Sequence, residues 1–285
     1  MKITPLIVLV PLLVTVRGNA GTPPPSAPDK ACYNLCNPVP DDLLRDMDTD
    51  RPDKSTSPHT LDAGHFQIET GLFTYTRTTA AGIRTENESW ADTTLRIGLV
   101  HWAELQLGIP IYQSNRDTMI ESHRTQHTSG NGALTITLKA NFWGNDAGDT
   151  AGGMGIWVKT PTASDGLGND RIEGGAAFLL DLKLPGGFDL GINNGVGISA
   201  NDDDRYHAVI INSISVSHAI TGPLSGYVEF YSAVPTRGGG AWEGTVDAGC
   251  LLMIGKNVQM DAGLNIGVTS GADDWQPFLG ISCRF

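Results

Sequence analysis

From about residue 62 to the C-terminal Phe285, apolar and small polar side chains alternate with a period of two. In VQMDAGLNIGVT, Val258, Met260, Ala262, Leu264, Ile266 and Val268 share one face; Gln259, Asp261, Gly263, Asn265, Gly267 and Thr269 share the other. A strand turns successive side chains to opposite faces, so this stretch has one apolar and one small polar face. WEGTVDAGCLLMI repeats it: Trp242, Val246, Ala248, Cys250, Leu252 and Ile254 oppose Glu243, Thr245, Asp247 and Gly249. LSGYVEFYSAV and FDLGINNGVGIS follow the same rule. Twelve runs can be placed, near 64–78, 90–101, 104–113, 133–143, 153–162, 172–184, 188–199, 206–218, 224–234, 242–254, 258–269 and 275–285. No helical period competes over a useful length.

The connections alternate in character. Longer polar loops are expected at 114–130, 163–170, 201–205, 235–241 and 270–274, and tight turns at 101–103, 184–187, 221–223 and 255–257. The segment 144–152 is a long exception. An even strand number, alternating long and short connections and dyad hydrophobicity are the signature of a bacterial outer-membrane barrel. A closed barrel is also the one sheet that leaves no unpaired edge in lipid.

A secreted β-sandwich also alternates, but it carries charge all over its exterior. Here charge is confined to loops and to one face of each run. Charged residues are 18% of the chain, against about 25% in a soluble domain. A lipid-facing exterior explains that shortage. The 35 glycines, many on the inward face, leave room in a narrow lumen. The net charge of −12 argues against nucleic acid as a partner. Phe285 closes the last amphipathic strand as the terminal aromatic that barrels present to their assembly machinery. These features predict an all-β fold: a twelve-stranded antiparallel transmembrane β-barrel over 62–285, in the outer membrane of a Gram-negative bacterium. Its partners would be outer-membrane lipid, the barrel-assembly machinery and a small-molecule solute. The oligomeric state stays open.

Ahead of the barrel, residues 1–20 read as a secretory signal, with Lys2, an apolar stretch over 3–16 and a small-residue cut after Ala20. Residues 21–61 are Pro-rich and aperiodic, an extended periplasmic or plug segment. Cys32 and Cys36 are close enough to bridge, and export permits it, but the pairing stays open. Cys250 and Cys283 share the lipid face with one strand between them. Two strand spacings are about 9.6 Å, beyond the ~7 Å reach of a disulfide, so both are expected free.

Inward parity gives a lumen inventory. Arg96, Lys139, Lys159 and Lys183 lie on one side, with Asp92, Glu173 and Asp181 among them. Asp189, Glu229, Glu243, Asp247 and Asp261 follow with no inward Lys or Arg. Arg77 and Arg284 are expected near the closing seam with Glu69. Two readings stay open: a salt-bridge network that holds a narrow barrel together, or a transverse field that orients a permeating solute. Tyr227, Tyr231 and Trp157 are stacking surface for an aromatic solute, or space-fillers. Asp50, Arg51 and Asp53, in the dense motif DRPDK, are candidates for a plug whose Arg51 pairs with lumen carboxylates; the alternative is a solvated loop.

The rival classes are weaker. An outer-membrane esterase would need His127, Ser129 and Asn141 together, but the first two fall in an expected loop and Asn141 has lumen parity. The acidic stretches at 202–204, 273–274 and 145–146 lack EF-hand spacing, so no metal is expected, and no cofactor. A surface binding or adhesion barrel without transport remains the alternative, with modest loops for it.

Several segments are distinctive: TDRPDKSTSPHTLDAGHFQIE over 49–69, NFWGND over 141–146, DGLGNDRIEGG over 165–175, VSHAITGPLSGYVEF over 216–230, and DAGLNIGVT with the closing PFLGISCRF. They resemble the outer-membrane transporter family named after the meta-cleavage pathway of phenol degradation, the phenol MetA degradation family. The resemblance spans about Asp46 to Phe285 and leaves out Cys32 and Cys36. It implies a twelve-stranded barrel that passes small, often aromatic, molecules. The expected role is therefore a non-enzymatic channel for passive passage of small molecules.

Overall fold

A computed structural model describes residues 29–168, 170–201, 205–236 and 240–285. The expected signal lies outside the described residues, as does the acidic stretch at 202–204. After a short 3-10 turn at Asp41–Leu43, all regular structure among the described residues is strand. The first strands are β1 (Phe66–Ala80), β2 (Ile83–Val100), β3 (Ala103–Met119), β4 (Thr125–Gly130) and β5 (Thr135–Trp143). Next come β6 (Thr150–Lys159), β7 (Glu173–Leu184), β8 (Phe188–Ala200) and β9 (Tyr206–Thr221). The last are β10 (Leu224–Pro235), β11 (Glu243–Ile254), β12 (Val258–Gly267) and β13 (Trp275–Arg284).

Twelve of these strands form a closed antiparallel ring, with β13 pairing back onto β1 and β3 stepping directly to β5. At the seam Gln67 stands opposite Arg284, and the Phe285 amide donates to the Phe66 carbonyl at 2.8 Å. The short turns at 101–102, 185–187, 222–223 and 255–257 lie at the end that holds both chain ends of the ring. By the convention of outer-membrane barrels this is the periplasmic end.

The thirteenth strand is a correction. The loop expected over 114–130 is instead the top of β3, a turn at 120–124, and β4, which pairs with β3 alone and stands outside the ring. The β1–β2 hairpin also outruns the expected strands, closing on a two-residue turn at Ala81 (φ 48°) and Gly82 (φ 79°). Two consecutive positive φ values make the mirror-image turn that matches strand twist. The physical reason for both differences is the same. A strand needs about 9–11 residues to cross the bilayer, and β1, β2 and β3 have 15, 18 and 17. Above the membrane both faces meet water, and the apolar alternation disappears while Thr-rich pairing continues.

Burial is inverted relative to a soluble protein. The largest fully buried side chains include Arg96, Lys139, Glu104 and Glu229, whereas Val228, Ile254 and Ile266 are 58%, 49% and 47% exposed. Water cannot wet that apolar belt without cost, so it is the lipid-facing surface. Inward glycines have a more specific role than leaving space. The Tyr227 ring lies flat over Gly249, where an added Cβ would come 2.6 Å from Cε1, and Trp157 lies over Gly175 in the same way. Cys250 stands opposite Ala262 and Cys283 opposite Val258 with β12 between them, so the two thiols are unbridged. Cys32 and Cys36 are exposed and also unbridged.

Candidate functional site

The chain approaches the ring through a polar anchor at its periplasmic end. The Lys30 ammonium, 4% exposed, reaches Asp62 and Asp146 at 2.9 Å each. Arg45 donates to Asp146, to the Thr60 carbonyl and to the His101 carbonyl. Burial alone would raise Asp146, but the bonds from Lys30 and Arg45 outweigh it and hold that carboxyl below its usual range. From this anchor, residues 46–61 run inside the ring.

One wall of the lumen meets the segment through a buried charge network. The Arg96 guanidinium donates to Glu69 at 2.8 Å and to both oxygens of Glu104 at 3.0 Å. Lys139, fully buried, donates to both Asp50 oxygens at 2.8 and 3.0 Å, and Gln106 donates to Asp50 at 2.6 Å. The Asp50 amide in turn donates to Glu69 at 3.2 Å. Charges in a lumen that excludes most water interact more strongly than in bulk.

The opposite wall holds the same segment by different groups. Arg51 donates to Asp261 at 2.7 Å and stands 5.9 Å from the centre of the Phe278 ring. Glu229 accepts from the Lys54 and Ser55 amides at 2.8 and 2.7 Å, and from the Ser55 hydroxyl. Thr56 and Asn193 exchange two hydrogen bonds, as adjacent strands would. Lys54 lies near Tyr231, Glu243 and Asp247. Burial in the lumen, with the Glu229 carboxylate close by, pushes Asp53 well above the ordinary range.

Two cavities flank the segment. One, about 580 Å³, opens at the periplasmic end against Asp48, His59, Asp181, Lys183 and Asp189. The other, about 780 Å³, opens at the extracellular end against Trp157, Lys159, Val209, Ile211, Tyr231 and Glu243.

The inventory of inward charges therefore separates by height. Arg96, Lys139, Glu229, Asp247 and Asp261 form the mid-lumen belt around the segment. Lys159 is higher, paired with its cross-strand neighbour Glu173 at 3.1 Å, and Lys183 with Asp189 forms an exposed cross-strand pair at the periplasmic mouth. Arg77, Arg284 and Glu69 lie on the seam strands as expected, each with its own partner. Arg77 is 3.9 Å from Asp274 near the extracellular end, Arg284 donates to Asn257 and to the Arg45 carbonyl, and Glu69 belongs to Arg96. Glu104 and Gln106 were not in the inventory; their alternation with Leu105 and Leu107 on β3 was the available signal.

The residues of the esterase alternative stand apart. His127 is exposed on β4, within 2.9 Å of Ser114, while Asn141 is buried in the lumen and donates to the Pro58 carbonyl. Asp273 and Asp274 accept from Thr78 and Thr79. Among the described residues no group of three or more His, Cys, Asp or Glu side chains is arranged to hold a metal ion.

The sequence signature of the family described as "Putative MetA-pathway of phenol degradation" matches residues 49–285. None of the curated proteins matches the chain in sequence. Among solved structures, an outer membrane channel from Pseudomonas putida F1 is similar over 84% of this chain and 100% of its own, with 11% identity and a TM-score of 0.59. The NanC porin is similar over 77% of this chain and 100% of its own, with 8% identity and a TM-score of 0.52. At these identities the likeness is one of fold: a closed antiparallel β-barrel.

Proposed function

The chain belongs to the family of the MetA pathway of phenol degradation, and from that premise we propose that it is an outer-membrane channel for passive, non-enzymatic passage of small molecules, closed at mid-lumen by residues 46–61. The observation that carries this reading is the pair of cavities, about 780 and 580 Å³, on either side of a segment bonded to both walls. A water-lined interior behind a lipid-facing belt is what a solute path needs. A ring of twelve strands is narrower than the 16–18-stranded open porins, so side chains or a segment must fill part of it.

Asp50 and Arg51 act in this reading as the fastening of the segment, with Asp53 buried beside Glu229 rather than in a solvated loop. The mid-lumen charges then do two jobs. Arg96, Glu69 and Glu104 brace the wall and bond the segment at Asp48, Asp50 and Leu61, while Lys139, Glu229 and Asp261 hold the segment from the other strands. Liposome swelling with the purified barrel, both native and with residues 46–58 replaced by a Gly-Ser linker, tests the function across a panel of sugars, organic acids and aromatics. Entry of small solutes supports it, and swelling no faster than in protein-free vesicles for every solute overturns it.

A further inference from the structure

Lys54 reaches from the lumenal segment toward Tyr231 on β10 and Glu243 on β11, both of which line the outer cavity. Its ammonium stands 4.6 Å from the centre of the Tyr231 ring and donates to the Thr245 hydroxyl at 3.0 Å. Glu243 and Asp247 are farther, at 3.8 and 3.9 Å. An ammonium carries three donors, and among the described residues only the Thr245 bond is of hydrogen-bond length. A quarter of the Lys54 side chain also remains accessible. The site is shaped for a cation but grips this one loosely.

A second observation concerns the carboxylates. Glu229 and Asp247 stand directly opposite each other across β10 and β11, 1% and 0% exposed. Glu229 is satisfied by the segment's amides and Ser55. Asp247 is served less fully: Oδ2 accepts from Thr245, while the buried Oδ1 makes no hydrogen bond of good geometry although the Glu229 carboxyl and the Ile266 amide are close, and the Tyr227 hydroxyl is also buried without one. A buried carboxylate served so weakly is costly, and Lys54, 3.9 Å from Oδ2, adds no hydrogen bond to it. One lysine serves Glu243 and Asp247 together.

The outer cavity is mixed, with Lys159, Glu173 and His207 on part of its lining and an apolar wall on another part. Trp157, Val209, Ile211 and Pro235 line the same cavity of about 780 Å³. Cation–π attraction, carboxylates and an apolar wall together describe one class of ligand.

We propose that the outer cavity binds a primary organic amine with an aromatic or alkyl body, its ammonium taking the place of Lys54 against Tyr231, Thr245, Glu243 and Asp247. Its body lies against Trp157, Val209 and Ile211. Lys54 is then a tethered occupant of the site, and a ligand that displaces it loosens the segment next to the Glu229 fastening. The proposal builds on the channel reading for its purpose, but binding itself is measured independently of passage.

Isothermal titration of the purified full barrel in detergent tests it with three probes of one size: 2-phenylethylamine, 2-phenylethanol and phenylacetate. The amine is expected to bind at least tenfold more tightly than either of the others. Lys54→Ala, checked for folding by heat-modifiable mobility, is expected to tighten the amine a further tenfold or more and leave the alcohol unchanged. Glu243→Gln, at a partly accessible position, is expected to weaken the amine about tenfold in an otherwise native barrel. Equal affinity for the three probes overturns the proposal, as does an amine affinity unmoved by Glu243→Gln, or no binding to the native barrel. Amine binding without liposome swelling would remove the channel reading and keep this site; swelling without amine preference would do the reverse.

Discussion

Arg51 in the lumenal segment and Asp261 on β12 meet at 2.7 Å across 210 residues of chain, and the Asp261 side chain is fully buried. On the preceding residue, Asp50 is tied to Lys139 at 2.8 Å on the other side of the ring. Two neighbouring residues thus fasten the segment to opposite walls. Fastenings of this kind hold while both members are present. Removing one member of a buried pair costs about 3–5 kcal/mol, because the other is left charged without a partner.

Arg51→Ala should therefore release one wall. Its expected effect is a several-fold rise in open probability in planar bilayers, with Asp261→Asn giving a similar rise. The double variant should add little to either, since both break one contact. Full additivity of the two would place Arg51 and Asp261 in separate roles.

Arg96 ties the wall to the segment: besides its two wall carboxylates it donates to the Asp48 carbonyl at 3.1 Å and stands 3.9 Å from Asp50. It is 1% exposed and serves Glu69 and Glu104, themselves 2% and 0% exposed. Arg96→Met leaves both carboxylates short of their main donor. Urea unfolding of the barrel in lipid vesicles should show a loss of about 3–5 kcal/mol. A loss below about 1 kcal/mol would mean the network contributes little.

Acidity should close the channel. Burial and the Glu229 carboxylate raise Asp53 well above its free value of 3.8 when the segment is docked. The docked state thus holds the Asp53 proton more tightly, and docking weakens as pH rises from 3.8 through the raised value. Asp50 has the opposite sign: burial opposes ionisation, but Arg96 and Lys139 outweigh it and lower the group. Its contribution is lost only below the free value. Conductance is expected to be greater at pH 8 than at pH 5, and Asp53→Asn should flatten the difference. A pH response unchanged in Asp53→Asn would assign it elsewhere.

The Tyr227–Gly249 contact gives a packing test. A Cβ at 249 would stand 2.6 Å from the ring, so Gly249→Val must push Tyr227 off the wall. Overpacking of this kind costs about 1–3 kcal/mol. Thermal unfolding in detergent should move down accordingly, and an unchanged midpoint would show that the ring has room to shift.

Legibility in the chain followed the solvent. Lipid on one face and a polar lumen on the other force strict alternation, so all twelve ring strands announce themselves, down to Val258–Ile266 on β12. Where β3 rises past the membrane as SNRDTM, and where β4 reads TQHTSG, water lies on both sides and the alternation vanishes. Inward parity singles out Arg96, Lys139, Glu229, Asp247 and Asp261 for the same reason that it singles out strands. Their partners are another matter. Asp50 meets Lys139, and Thr56 meets Asn193, because an aperiodic segment threads the ring. No local pattern in DRPDKSTSP encodes which strand each residue will touch. Arg77, Arg284 and Glu69 do stand on the two seam strands, but at different heights, so each has partners of its own.

The central claim is that residues 46–61 close a solute path. Single-channel recording in planar bilayers tests it most directly, comparing the native barrel with one in which residues 46–58 are replaced by a Gly-Ser linker and folding is verified by heat-modifiable mobility. The account predicts small or rare openings for the native barrel and a several-fold larger, persistent conductance for the replaced one. Equal conductance in the two, or none in either, would contradict it.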